Sequence, residues 1–259
     1  MANNGFWDEI RKIPPVTRFL CGSSLVVSIP AMTQLLHPYY VIFMKDLVVK
    51  KFEVWRIWSS FFLGSTGINY VFEIVMLYRN ANMLEEGAYS GRSADLAWQL
   101  ILACGAIIGL NLPLKSMVHN RPLTLCLTYL GSALAPAGTQ TSLFGLLTFP
   151  LAYLPYALIG MDFIMGGPSA AAQSVTGAIV GHLWWWLIFT GSTSNVNAVP
   201  APAWARAPHW LRSMVGDNGP PRFGTNSGVH VVPPRQRDAQ TNGRSTGYNW
   251  GAGQRLGSE

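Results

Sequence analysis

Apolar residues over the first 191 positions fall into long runs separated by short polar turns, a pattern that predicts helices crossing a bilayer. Six candidate spans emerge, at 16–36, 57–78, 96–114, 122–134, 151–165 and 170–189. Between the first two lies 37–56, too polar to cross and too apolar to stand free in water. Tyr39, Tyr40, Val41, Ile42, Phe43 and Met44 are followed there by Lys45, Lys50 and Lys51, which predicts a stretch lying in the membrane interface. Two of the spans are short. The fifth offers 15 residues interrupted by Pro155, or roughly 22 Å of helix against a hydrocarbon core of about 30 Å. The fourth stops sooner, at Ala135-Pro136. Two short spans in succession predict either burial behind longer neighbours or a locally thinned bilayer.

The pattern ends near residue 191. Residues 192–259 contain seven Pro, nine Gly and seven Arg without sustained apolar periodicity. Too little apolar surface is available there to offset ordering entropy, so this tail is expected to be disordered and 1–191 to form the membrane domain. Just after the last span, Trp204, Trp210, Leu211 and Met214 lie close to Arg206 and Arg212, which predicts a short interfacial stretch at 203–215. Pro208 argues against one continuous helix there. At the tip, Tyr248-Asn249-Trp250-Gly251-Ala252-Gly253-Gln254-Arg255-Leu256-Gly257 holds two apolar anchors with nothing nearby to bury them. Such anchors suit a partner's pocket.

Composition supports the membrane reading. Hydrophobic residues make up 49% and charged residues 12%, with a mean hydropathy of +0.24 even with the polar tail included. The net charge of +6 does not point to nucleic acid, because the basic residues are scattered and form no basic helix or basic-aromatic platform. Cys21, Cys104 and Cys126 sit inside apolar segments without metal spacing, so no metal, cofactor or disulfide framework is expected. Residues 1–12 carry mixed charge ahead of the first span, as in an uncleaved span rather than a signal peptide. With six spans and both ends on one side, that side carries 12 of the 18 Lys and Arg, which predicts cytosolic termini.

Several polar groups fall inside the spans. Glu73 accompanies Ser59, Ser65, Thr66 and Asn69 in the second, Asp162 lies in the fifth and His182 in the sixth. An acidic group at a helix centre costs about 2.5–3.5 kcal/mol, so these groups are expected to face the bundle or a wet cavity. Asp162 is equally well placed to reach the interface. Gly177 and Gly181 form a small-residue face on the sixth span, and Gly105 and Gly109 repeat it on the third; both are expected to pack within the bundle.

The order of four motifs then resembles a family. Trp55-Arg56 precedes the second span, and Tyr78-Arg79-x-x-x-Met83-Leu84-Glu85-Glu86 follows it. Tyr153-Leu154-Pro155-Tyr156-x-Leu158-x-Gly160 lies in the fifth and Gly177-x-x-x-Gly181-His182 in the sixth. From about Pro14 to Gly191 the chain resembles the derlins, rhomboid-fold pseudoproteases of the endoplasmic reticulum membrane. The resemblance implies an all-α, six-span rhomboid-like bundle with a disordered cytosolic tail. It implies a role in moving misfolded proteins to the cytosol through a polar half-channel and thinned bilayer, beside an HRD-type ubiquitin ligase, alone or oligomerised with another derlin. The tip resembles the SHP box that binds the valosin-containing AAA ATPase. Trp250 matches its large apolar position, Gly251 and Gly253 its glycines, and Leu256 its closing aliphatic. Trp55 and Arg56 suit the lumenal interface, as simple anchors or as substrate contacts.

Catalysis is not expected. Active rhomboids pair a Gly-x-Ser-Gly nucleophile in the fourth span with a histidine in the sixth, because a serine hydroxyl needs a neighbouring base. This chain has Gly131-Ser132 without the rest of the motif, and Ala88-Tyr89-Ser90-Gly91 falls in a loop. His182 then reads as a packing or cavity residue. Two other functions stay open: an intramembrane serine protease, and a lipid-scrambling or chaperone-like protein that acts by distorting the bilayer.

Overall fold

The first helix, α1 (Pro15–Met32), begins with proline at its first position, where the missing N–H costs nothing. It has no cap of its own and no acidic residue in its first turn. The cap comes from far along the chain. The Glu85 carboxylate, 3% exposed, accepts the N–H groups of Val16 (3.0 Å) and Thr17 (2.7 Å) and the Thr17 hydroxyl (2.8 Å). Lower on the same face, the Ser28 hydroxyl donates to the Phe62 carbonyl (2.8 Å) and accepts the Gly64 N–H (2.9 Å). Phe19 and Val26 point outward.

This computed structural model describes Gly5, Asp8 and residues 11–136, 138–143, 147–189 and 202–217. After α1, a 3-10 turn at Pro38–Tyr40 leads into α2 (Lys45–Lys51), which buries no residue, and then α3 (Trp55–Phe62). The expected second span is not one helix. It breaks at 63–67 and resumes as α4 (Ile68–Glu86). The break is held in place by the residues in it. Gly67 takes a left-handed φ of 71°, and any Cβ at Gly64 would lie 2.3 Å from the Tyr70 ring. The Glu73 carboxylate reaches back to accept the Ser65 N–H (2.9 Å) and the Ser65 hydroxyl.

Next come α5 (Ser93–Asn111), α6 (Asn120–Leu134) and an antiparallel hairpin of β1 (Gln140–Leu143) and β2 (Leu147–Pro150), with Thr141 opposite Phe149. The last long element, α7 (Leu154–Phe189), bends at Gly167, whose φ of 74° and ψ of −170° are not helical. Its two limbs, 154–166 and 168–189, correspond to the expected fifth and sixth spans. Among the described residues, only α1 and α5 are long and apolar enough by length and composition to cross a membrane. The six-span expectation is met to that extent and no further. α6 has only 15 residues and the first limb of α7 is cut short at Gly167, while Asn69, Glu73, Arg79, Asn80 and Asn82 dilute α4.

Leu20, Leu77, Leu84, Leu96, Ile107, Leu123, Leu127 and Leu130, each at most 2% exposed, form the centre of one apolar core. Polar pairs tie the helices across it. Asn80 donates to the Thr128 hydroxyl (2.6 Å), linking α4 to α6, and Asn111 donates to the Thr176 hydroxyl (2.8 Å), linking α5 to α7. Gly177 and Gly181 press against the backbone of α6 at Pro122 and Cys126. Gly105 and Gly109 do not share this role. Nothing lies within 4 Å of a Cβ built at either, so they sit on an open face of α5.

Residues 202–217, expected to belong to a disordered tail, are folded. A 3-10 turn at Ala203–Ala205 and a short helix, α8 (His209–Val215), dock on the beginning of α5. Pro208 is the N-cap of α8, which explains the interruption read from the sequence. The expected motif at 248–257, with Trp250, Gly251, Gly253 and Leu256, lies outside the described residues.

Candidate functional site

Three elements line a cavity of about 310 Å³: α4, the start of α6 and the first limb of α7. Each brings one charged group. α4 carries Glu73, α6 carries Arg121 and α7 carries Asp162. Arg121 bridges the two carboxylates, in contact with Asp162 Oδ1 and 4.0 Å from Glu73 Oε1. Each carboxylate is further supported. Glu73 accepts from the Asn120 amide (3.0 Å) and from Ser65, and Asp162 accepts from the buried Ser174 hydroxyl. Two acids against one guanidinium leave the cavity with a formal charge of −1.

Asn69 and Thr124 complete the polar part of the lining, while Phe72, Met76, Leu125, Leu158, Met161 and Met165 form the rest. The Thr124 hydroxyl oxygen is buried without a partner. The site is therefore a largely apolar recess with hydrogen-bonding groups contributed by all three elements. In hydrocarbon, each unpaired backbone amide costs several kcal/mol, and such groups offer it partners. The flexible methionines let the recess adapt to different shapes. Among the described residues no group of three His, Cys, Asp or Glu side chains is placed to hold a metal ion.

The sequence singled out Asn69, Glu73, Asp162 and His182 as intramembrane polar groups, and the structure brings the first three together. His182 lies elsewhere. It is exposed on the second limb of α7, with Nδ1 2.7 Å from the Tyr129 hydroxyl and its ring 5.9 Å from Trp185. Ser132, the one serine of the partial Gly-Ser pattern in α6, donates to the Tyr129 carbonyl in its own helix (2.8 Å). Sequence reasoning missed Arg121 and Asn120, treating Arg121 only as a loop charge. Their position was the available signal, since both come directly before the apolar run that opens at Pro122.

Trp55 and Arg56 point opposite ways. Trp55 is 57% exposed, whereas Arg56 is 1% exposed and organises the 37–56 segment. Its guanidinium donates to the Tyr39 carbonyl, the Ile42 carbonyl (3.1 Å) and Glu53, and lies over the Tyr39 ring. Ser59 adds a bond to the Val41 carbonyl (2.7 Å). One arginine thus gathers three otherwise orphaned acceptors of an irregular loop.

The loop before α6 is locked to the same region by His119. Its N–H donates to the Ser60 carbonyl (2.8 Å), its ring Nδ1 lies 3.1 Å from the Ser60 hydroxyl, and the Phe43 and Phe61 rings flank it. Burial pulls the imidazole down to about 4 from its ordinary 6.5. A depressed histidine contributes stability above pH 6.5 that is lost as pH falls from 6.5 towards 4. The expected loss is about 2 kcal/mol by pH 5. Thermal unfolding in micelles at pH 7.5 and 5.0 should show it in the wild type and not in His119→Gln. An equal loss in both proteins would place the effect at another group.

The Der1-like family model matches residues 13–202, which takes in every helix from α1 to α7. Derlin-1 of Homo sapiens is 29% identical over 268 residues, covering the whole of both chains. Derlin-1.2 of Zea mays is 29% identical over 198 residues, covering 75% of this chain and 80% of its own. Derlin-1 of Oryza sativa subsp. japonica is 29% identical over 196 residues, with 74% and 80% covered. The chain belongs to the Der1-like family.

Proposed function

We propose that this protein is a non-catalytic retrotranslocation factor of the endoplasmic reticulum membrane. It has six spans, with both termini in the cytosol, and carries misfolded proteins towards degradation. The observation that carries this reading is the Glu73–Arg121–Asp162 recess, a charged cluster in a largely apolar cavity between three helices. A polypeptide entering from the bilayer or lumen would exchange lost water contacts for Asn69, Asn120 and the charged triad. The short α6 and the bend at Gly167 support a locally thin membrane beside that recess, which shortens the path. Family membership supports a role in endoplasmic-reticulum-associated degradation; the proposed setting is beside an HRD-type ubiquitin ligase, in homo- or hetero-oligomers. The proposal takes the protein as non-catalytic, with His182 as a packing residue against Tyr129.

Photo-crosslinkers at Asn69 and Met165 in the full chain test the path. During degradation of a misfolded substrate they should capture it, while crosslinkers at the outward-facing Phe19 and Val26 should capture lipid. Substrate capture as strong at Phe19 as at Asn69, or lipid alone at every position, would remove the recess from the route. Lipid alone at every position is the result expected of a scramblase.

Trp250 and Leu256, spaced by Gly251 and Gly253, are proposed to recruit the valosin-containing AAA ATPase, which supplies the pull. Between Asp217 and Trp250 lie 32 residues, a span that at full extension reaches about 120 Å, enough for a large cytosolic machine to dock clear of the membrane. The double variant Trp250→Ala/Leu256→Ala should lose ATPase capture from detergent extracts at least tenfold while its thermal midpoint stays unchanged. Undiminished capture would assign recruitment to another segment.

A further inference from the structure

The segment after α7 folds into a two-part latch whose sides face different surroundings. Its inner side is polar-pinned and apolar. Asp95, at the start of α5, accepts the Ala207 N–H (2.8 Å) and lies 3.4 Å from an Arg212 nitrogen, while Ala205, Ala207 and Leu211 are buried. Asp217 accepts the Ala94 N–H (3.3 Å) and so caps α5, which has no side-chain cap of its own. The Trp204 carbonyl accepts the Trp98 indole N–H (2.9 Å).

On α8, steps of 100° per residue put Leu211 and Val215 on the docked side and His209 and Ser213 on the far side. Trp210 and Met214 project between them, 54% and 77% exposed. Trp204, also 52% exposed, closes one end of a groove between α5 and the second limb of α7. The groove holds about 150 Å³ and is walled by Leu102, Ala106, Leu183 and Leu187. Gln99 brings the one side-chain amide to its lining, and both its oxygen and its nitrogen are bonded within the protein. The oxygen accepts from Tyr89 and from Trp184 (3.0 Å), and the nitrogen donates to the Ala205 carbonyl (2.9 Å).

A groove lined almost wholly by apolar side chains suits an apolar occupant and offers a polar ligand little. Its walls continue outward as the exposed Leu102, Leu183 and Leu187, on a helix long and apolar enough to span and on its neighbour. Tryptophans at the rim suit the headgroup boundary. We propose that this groove is a phospholipid site. One acyl chain lies between α5 and α7 beneath Trp204, and Trp204, Trp210 and Met214 rest in the adjoining leaflet.

The inference depends on the chain being embedded in a bilayer and not on its transport role. The full-length protein in nanodiscs of phosphatidylcholine and phosphatidylserine, doped with phosphatidylserine carrying an acyl-chain diazirine, separates the possibilities. Adducts at Leu187, Trp204, Trp210 and Met214 should exceed those at His209 and Ser213 at least fivefold. Ala106→Phe, a substitution at an exposed helix position, should fill the groove and cut adducts at Leu187 and Trp204 fivefold, leaving those at Phe19 and Val26 unchanged. Equal labelling of Trp210 and Ser213 overturns the proposal, as does labelling of Trp204 that ignores Ala106→Phe. Loss of adducts at Phe19 and Val26 as well would overturn the membrane placement itself.

Discussion

Gly177→Val should disrupt the packing of α6 on α7 and lower the unfolding free energy by about 3 kcal/mol, the upper part of the range for overpacking. A Cβ at Gly177 would fall 2.2 Å from the Pro122 carbonyl oxygen and 2.8 Å from its carbon. Those are backbone atoms, so no rotamer change relieves the contact and the helices must separate. Gly181 is less tightly pressed, since a methyl added there would meet the Cys126 carbonyl oxygen at 2.8 Å and the Tyr129 Cβ at 3.0 Å. Gly109→Ala provides the opposite sign, because nothing lies within 4 Å of the added methyl. Relief of glycine's backbone entropy in a helix should stabilise that variant by about 0.5–1 kcal/mol. Unfolding in mixed micelles reads both. If Gly177→Val and Gly109→Ala shift the midpoint alike, close backbone contact is not what the glycine provides.

Glu85→Ala should cost about 3–4 kcal/mol, since it strips a buried anion from three donors at once and leaves two helix N–H groups orphaned. The carboxylate also faces the positive end of the α1 dipole. Glu85→Gln separates the charge from the shape. Its amide keeps one acceptor oxygen but turns an NH2 group towards donors, so a loss of about 2 kcal/mol is expected. Glu86 is the internal control. It is exposed and its carboxylate is met by Asn82 in the same helix, so Glu86→Ala should change stability by no more than about 0.5 kcal/mol. Equal losses at Glu85 and Glu86 would show that capping of α1 contributes little.

Those two positions show what the sequence makes legible. The Gly177–Gly181 face was readable because small residues at a spacing of four have one physical use, close approach of another backbone. The same spacing at Gly105 and Gly109 misled, since spacing says that a face is flat and not that anything lies on it. Glu85 was visible as part of a motif, but its role depends on α1 arriving 68 residues away in sequence, which no local pattern reports. The recess was half legible. Glu73, Asn69 and Asp162 stood out as costly polar groups in apolar runs, whereas Arg121 looked like a loop charge until the fold carried its helix between them. The break at 63–67 was missed because hydropathy alone does not register that Gly64 and Gly67 free the backbone while Glu73 rewards the turn. The 202–217 segment was half legible: its tryptophans and arginines marked a short stretch broken at Pro208, whereas its packing on α5 rests on contacts that no local pattern reports.

The latch at 202–217 also decides where mechanical load enters the protein. Asp95 and Asp217 join it to the first turn of α5, so tension applied anywhere beyond residue 217 reaches α5 at Ala94 and Asp95 before it reaches the end of α7. Those hydrogen bonds act as a strain relief, like the clamp on a cable. Opening those contacts would free residues 202–217 to lengthen the tether before load reached the end of α7.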